Sequence, residues 1–215
     1  MIFLQGFFDV MEQSYSESIN HFPLIELIFY SVDQTLFYFI VWLSIRILYL
    51  SFFKKGRRVK KLRREVSLDA FVFYVILLIH LTVFREEHSI GNIEFNMQSL
   101  SSINLTPLTH TLKLTQGVTL FDYYYNLYGN ILWFVPMGFA VAYLLNKKPY
   151  FLKTMLIGFC FSFSIEMLQF FLGTGITDID DLIFNTIGTM IGLIGFMICK
   201  KISELYSMRK REKKV

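Results

Sequence analysis

The chain has 215 residues, 54% of them hydrophobic and 18% charged, with a mean hydropathy of +0.47. A water-soluble domain carries roughly 25% charged residues. Here the apolar excess falls in long runs, which excludes an ordinary soluble domain and points to a bilayer as solvent. The net charge of +4 says less than where the charges fall.

In chain order, the opening stretch "MIFLQGFFDVMEQ" has neither a basic n-region nor a small-residue cleavage site, so it does not read as a cleaved signal peptide. Five apolar segments of spanning length follow, at 24–53, 68–84, 127–145, 151–172 and 181–199. About 20 residues cross a hydrocarbon core. Lipid offers no partner for an unpaired backbone group, so all five are expected to be helices. The expected fold is an all-α integral membrane protein, a multi-pass bundle in the cell membrane. The first segment is longer than it needs to be, so its outer end can project beyond the lipid. Cys160 and Cys199 lie in apolar runs without metal or redox spacing and read as small packing residues.

Basic residues set the direction. Of 21 Lys and Arg, 18 fall in "KKGRRVKKLRR" at 54–64, in "NKKPYFLK" at 146–153 and in the tail at 200–214. A five-span chain puts these on one side, and Arg46 can snorkel towards it. The positive-inside rule then places the N-terminus outside and the C-terminus in the cytoplasm. The expected division is an extracytoplasmic segment 1–23, an additional transmembrane helix 24–53, a basic cytoplasmic loop 54–67, a four-helix membrane domain 68–199 and a basic cytoplasmic tail 200–215. The basic runs fix topology and touch anionic lipid; they call for no nucleic acid.

With that topology, polar residues gather at one depth, the outer boundary. Glu166 and Gln169 are three apart on one helical face, which Ser162 joins. The turn "GTGITDIDD" adds Asp178, Asp180 and Asp181, and Asn185 follows one turn into the last span. Arg85 ends the second span, Asn104 lies in the outer loop, and Asn130 stands near the start of the third, where Pro136 sits mid-span. Glu166 is the residue hardest to explain as packing, because an ionisable group inside a span is functional by default. Arg85, the cation at that depth, is its expected ion-pair partner. Asp178 could instead cap the last helix. Asn185 and Gln169 could be interhelical glue, and Gly188 and Gly192 have the spacing for close helix packing. His21, His80, His88 and His110 show no ligand spacing. The acidic cluster has the oxygen donors that a divalent cation takes. Carboxylates crowded near an Arg more often form a hydrogen-bonded network, so no resident metal or cofactor is expected. Three aspartates in one turn also do not make the proton-sharing dyad of an aspartic protease, whose members come from separate segments.

The blocks "NLTPL", "NILWFVPMGF", "SIEMLQ" and "DIDDLIFNTIGTMIG", in this order after the Arg of "TVFRE", resemble the signature blocks of the VanZ-like family over residues 68–197. The resemblance implies an integral membrane protein of the bacterial envelope, in a family named for a member linked to teicoplanin resistance. By motif it points to Arg85, Asn104, Pro107, Asn130, Pro136, Glu166, Gln169, Asp178, Asp181, Asn185 and Gly188. Many relatives carry an Arg shortly before the Asp block, where this chain has "GTGIT". The expected function is lipoglycopeptide resistance through an outward-facing polar site, with the antibiotic or a lipid-linked cell-wall precursor as partner. The alternatives are an enzyme on a lipid-linked envelope substrate, with catalytic candidates Glu166, Asp178, Asp181 and Arg85, or a small flippase, or a structural partner protein.

Overall fold

The computed structural model describes residues 1–16, 18–19, 22–53, 62–85, 95–108, 120–145, 150–175 and 177–212. The basic run 54–61 and Lys113, Lys147 and Lys148, on which the charge argument draws, lie outside the described residues.

The described residues form α1 (Gln5–Tyr15), α2 (Phe22–Phe53), α3 (Leu62–Thr82), α4 (Leu120–Leu145), α5 (Tyr150–Leu172) and α6 (Ile179–Glu212), with a 3-10 turn at Leu100–Ser102. The helices α2 to α6 are long and apolar enough to cross a membrane, so the five expected spans are borne out and the chain is a multi-pass membrane protein. Between described residues the β-type pairing is one isolated bridge, Asn104 with Asp178.

Four features differ from the sequence reading, the first being that α4 starts at Leu120, seven residues before the expected 127. α1 lies inside the segment 1–23, for which no helix was expected. α3 starts at Leu62, within the stretch read as loop, and carries Glu65 in its first turn, where a carboxylate suits the helix dipole. α6 runs to Glu212, well past Cys199. Neither Gly nor Pro follows Gly195, and Arg209, Lys210 and Arg211 in its last turn favour the negative end of the dipole. α2 has 32 residues, about 48 Å of helix, against a hydrocarbon core of about 30 Å.

The contacts divide the chain into two compact units, Met1–Gln98 with Leu168–Gly175, and Ser99–Met167 with Ile176–Val215. α5 contributes its last turn to the first unit and the rest to the second.

In the first unit α2 and α3 run antiparallel. Tyr38 stacks on His80, with ring centroids 5.4 Å apart, and Phe39 meets Phe73 edge-on at 5.2 Å. Further along, Trp42 Nε1 donates to Asp69 Oδ1 at 3.1 Å, and Arg46 pairs with Glu65. The ring of His80 is buried, with Nδ1 2.9 Å from the carbonyl of Ile76. α1 docks on α2 through Phe8, whose ring packs against Phe22 and Phe29. Asp33, about three turns into α2, accepts the backbone N–H groups of Ile2, Phe3 and Leu4. Those donors belong to the three residues just before α1, so one carboxylate ties the chain leading into that helix to α2.

In the second unit α4 and α6 are in backbone contact. A Cβ at Gly188 would stand 2.2 Å from the carbonyl oxygen of Ile131, and one at Gly192 1.9 Å from that of Val135. Reciprocally, a Cβ at Gly138 would stand 1.9 Å from the carbonyl oxygen of Thr189. Small residues at this seam let two helices approach at main-chain distance, where dispersion and weak polar contacts replace the hydrophobic driving force that lipid lacks. Thr189 also sits against Gly158 of α5. Further along, Ala142, Leu193 and Phe196 form a buried cluster, with Tyr150 and Met155 packed on it.

Candidate functional site

The polar residues of the second unit gather at the start of α6. Asp178 stands immediately before the helix, and its Oδ1 accepts the N–H of Asp180 at 2.9 Å, the geometry of an N-cap. The same oxygen accepts Asn104 Nδ2 at 3.0 Å. The main chains pair as well: Asn104 N–H donates to the carbonyl of Thr177 and Ile179 N–H to the carbonyl of Asn104, both at 3.0 Å. Asn104 Oδ1 turns back to accept Thr106 N–H at 3.2 Å. Asp180, 1% exposed, accepts the N–H of Leu108 at 2.6 Å. Leu108 has φ +62°, a left-handed value that costs a non-glycine residue roughly 1–2 kcal/mol. The loop "NLTPL" is thus stapled onto the first turn of α6, with Pro107 exposed in its bend.

Glu166 joins this knot from α5. Its side chain is buried, and Oε2 accepts the N–H of Asp178 at 3.1 Å. Thr177 Oγ1 lies 3.4 Å from the carbonyl of Glu166. Asn130 of α4 donates to Asp181 Oδ1. One turn deeper, Asn185 Nδ2 donates to Ser162 Oγ at 2.9 Å, while Asn185 Oδ1 is buried without a partner. Asn104, Asn130, Glu166, Asp178, Asp180, Asp181 and Asn185 therefore lie at one end of the second unit, drawn from one loop, from α4, from α5 and from the start of α6. Gly188 and Gly192 form the seam below them. Pro136 is on the exposed side of α4, which continues through it as one helix.

Gln169 and Arg85 fall in the first unit. Gln169 Nε2 donates to the carbonyl of Thr82, one of the carbonyls that the end of α3 leaves without a helical partner. α5 stops three residues later at Leu172, and Gly173 follows with φ +69°. Thr174 N–H reaches back to the carbonyl of Gln169 at 3.2 Å, which completes a Schellman-type cap. Gln98 ties this turn down, donating its N–H to Phe170 and its side-chain amide to Gly175. Arg85 is exposed just beyond α3, with Nε 3.3 Å from the carbonyl of Leu81. It lines a cavity of ≈ 590 Å³ formed with α1 and the start of α2. Its expected partner, Glu166, belongs to the other unit.

Asp33 was not singled out from sequence. The available signal was the one used for Glu166, an ionisable residue inside an apolar run. Among the described residues, no group of three or more His, Cys, Asp or Glu is arranged to hold a metal ion. One oxygen each of Asp178, Asp180 and Asp181 accepts a main-chain or amide donor within the fold.

Glycine-seamed helices closed at one end by a carboxylate and asparagine knot define a multi-pass helical membrane protein with a built polar terminus. The family model for VanZ/LLP1 matches residues 71–200, and the chain belongs to that family. Over 131 residues it is 31% identical to Protein VanZ of Enterococcus faecium, a match that covers 60% of this chain and 71% of that one. No solved structure matches. The family match takes in most of α3 and continues into α6. It leaves α1, α2 and Asp33 outside.

Proposed function

We propose that this protein supports resistance to a lipoglycopeptide antibiotic of the teicoplanin type, acting through the polar terminus of the second unit at the outer membrane boundary. Family membership and the similarity to Protein VanZ support the general role. The observation that carries the site is the buried Glu166 side chain accepting the N–H of Asp178 beside Asp180 and Asp181. These carboxylates are held in fixed positions by the fold, so a ligand's amide or ammonium donors would meet preorganised acceptors. The basic residues at the far end of α6 support an outward placement of the acidic end under the positive-inside rule. Teicoplanin carries an acyl chain, and a site at the lipid boundary suits such a molecule.

Fixed acceptors favour binding over acid–base chemistry on a lipid-linked substrate. A general acid or base needs a proton it can exchange with the reacting group, whereas Asp178 Oδ1 already holds two donors. The test is deletion of the gene, with susceptibility to teicoplanin and to vancomycin, which lacks the acyl chain, measured in parallel. Teicoplanin susceptibility should rise more. Equal sensitisation, or none, would overturn the reading.

A further inference from the structure

We infer that the N-terminal segment outside the family match, together with Arg85, builds a binding site for a zwitterionic phospholipid headgroup, with the phosphodiester on Arg85 and the ammonium on Glu26. The cavity of ≈ 590 Å³ is lined by Arg85 and Glu26 together with Tyr30, Phe8, Pro23 and Leu27, among others. Its size falls within the roughly 300–1,000 Å³ of small-molecule sites.

Arg85 and Glu26, of opposite charge, line one space without pairing to each other; Met1 lines it too, its N-terminal ammonium donating to Gln5 Oε1 at 3.1 Å. Among the described residues the ion pair is Arg46–Glu65, at the other end of α2 and α3. Arg85 Nε donates to the carbonyl of Leu81 at 3.3 Å. The guanidinium fork matches a phosphodiester, and a carboxylate matches an ammonium. Pro23, Glu26, Leu27 and Tyr30 recur at helical spacing on one face of α2.

The depth fits a headgroup. Pro23 lies in the first turn of α2 and Arg85 three residues beyond α3, so the cavity sits at the ends of two spanning helices away from Phe53 and Leu62. Phe8 closes one wall, and its helix is fixed by the three bonds to Asp33. The site is therefore built largely from the segment this chain adds to its family core. It does not depend on the proposed antibiotic role: lipid binding by purified protein reads this cavity, and susceptibility reads the other.

The experiment is calorimetric titration of the full chain in detergent with dihexanoyl phosphatidylethanolamine, dihexanoyl phosphatidylglycerol and inorganic phosphate. The wild type should bind the first saturably and in preference to the second. Arg85→Gln should bind about tenfold more weakly, the scale of one lost charge-assisted contact. Glu26→Gln should keep binding but lose the preference for the ethanolamine lipid. Leu27→Trp keeps both charges and fills the cavity from its wall, so it should abolish binding. Unchanged binding in Arg85→Gln or Leu27→Trp would overturn the proposal. So would inorganic phosphate competing as well as the lipid, which would assign Arg85 to a free anion.

Discussion

Glu166 accepts the backbone N–H of Asp178 through Oε2 at 3.1 Å, so a carboxylate in one spanning helix positions the residue that caps the next. The bond closes over only 12 residues, yet it organises groups much further apart. Asp178 in turn holds Asn104, 74 residues earlier in the chain.

This arrangement separates the charge of Glu166 from its shape. Glu166→Gln retains an acceptor for Asp178 N–H, whereas Glu166→Ala leaves a buried donor unpaired, which costs about 1–3 kcal/mol. Thermal unfolding in detergent should show a clear loss for the Ala variant and a small one for Gln. If the carboxylate binds the antibiotic, both variants should lose teicoplanin protection while Gln stays folded and inserted. A Gln variant with wild-type protection would reduce Glu166 to a scaffold residue.

Asp178 acts as cap and staple at once. Asp178→Ala should cost about 1–2 kcal/mol from the lost cap alone, and Asp178→Asn far less. Because Asn104 donates to the same oxygen, Asn104→Ala and Asp178→Ala should be non-additive in a double-mutant cycle. Strict additivity would mean that the Asn104–Asp178 bond contributes nothing.

Gly188→Ala and Gly192→Ala place a Cβ at about van der Waals overlap with main-chain oxygens of α4, 2.2 and 1.9 Å away, and the helices must part. Both should lower the unfolding temperature markedly. Gly129→Ala, on the same helix pair but with nothing within 4 Å of its Cβ, is the control. It should be neutral or stabilising by up to about 1 kcal/mol from helix propensity.

Gly173→Ala meets two obstacles, a left-handed φ of +69° and the carbonyl oxygen of Asn96 at 2.7 Å. The backbone strain alone is worth about 1 kcal/mol. Amide exchange should accelerate at Thr174 and Gln98, whose N–H groups are fixed by that turn. Protection equal to wild type would show that the turn absorbs the side chain.

Asp33→Ala should free α1 from α2. The amides of residues 2–4 lose their acceptor, and exchange there should quicken while α2 and α3 stay protected. Asp33→Asn keeps one acceptor oxygen and should be intermediate. Uniform destabilisation across the first unit would show that Asp33 supports the helix pair rather than the docking of α1.

The spanning helices and the cap at Asp178 were legible in the sequence because both depend on local order. Hydropathy is a running property of some 20 neighbours, and an N-cap is read from one residue and the helix after it. The glycine spacing of Gly188 and Gly192 was visible too, but not the carbonyls of Ile131 and Val135 that they meet. Nor did composition reveal α1, which is too short and too polar to register as a span.

By itself, then, the sequence determined that this chain is a five-span helical membrane protein with an acidic turn before its last helix, and its motif order pointed to the family. Only the tertiary structure decided which donors those carboxylates hold. It tied the loop at Asn104 to Asp178 and the loop at Leu108 to Asp180, and it tied the first residues of the chain to Asp33. It also put Arg85 and Gln169 in a different compact unit from Glu166. The physical reason is that apolar burial in lipid needs only composition, whereas a buried carboxylate needs particular donors at hydrogen-bond distance. In this protein those donors include one from a residue 74 positions away.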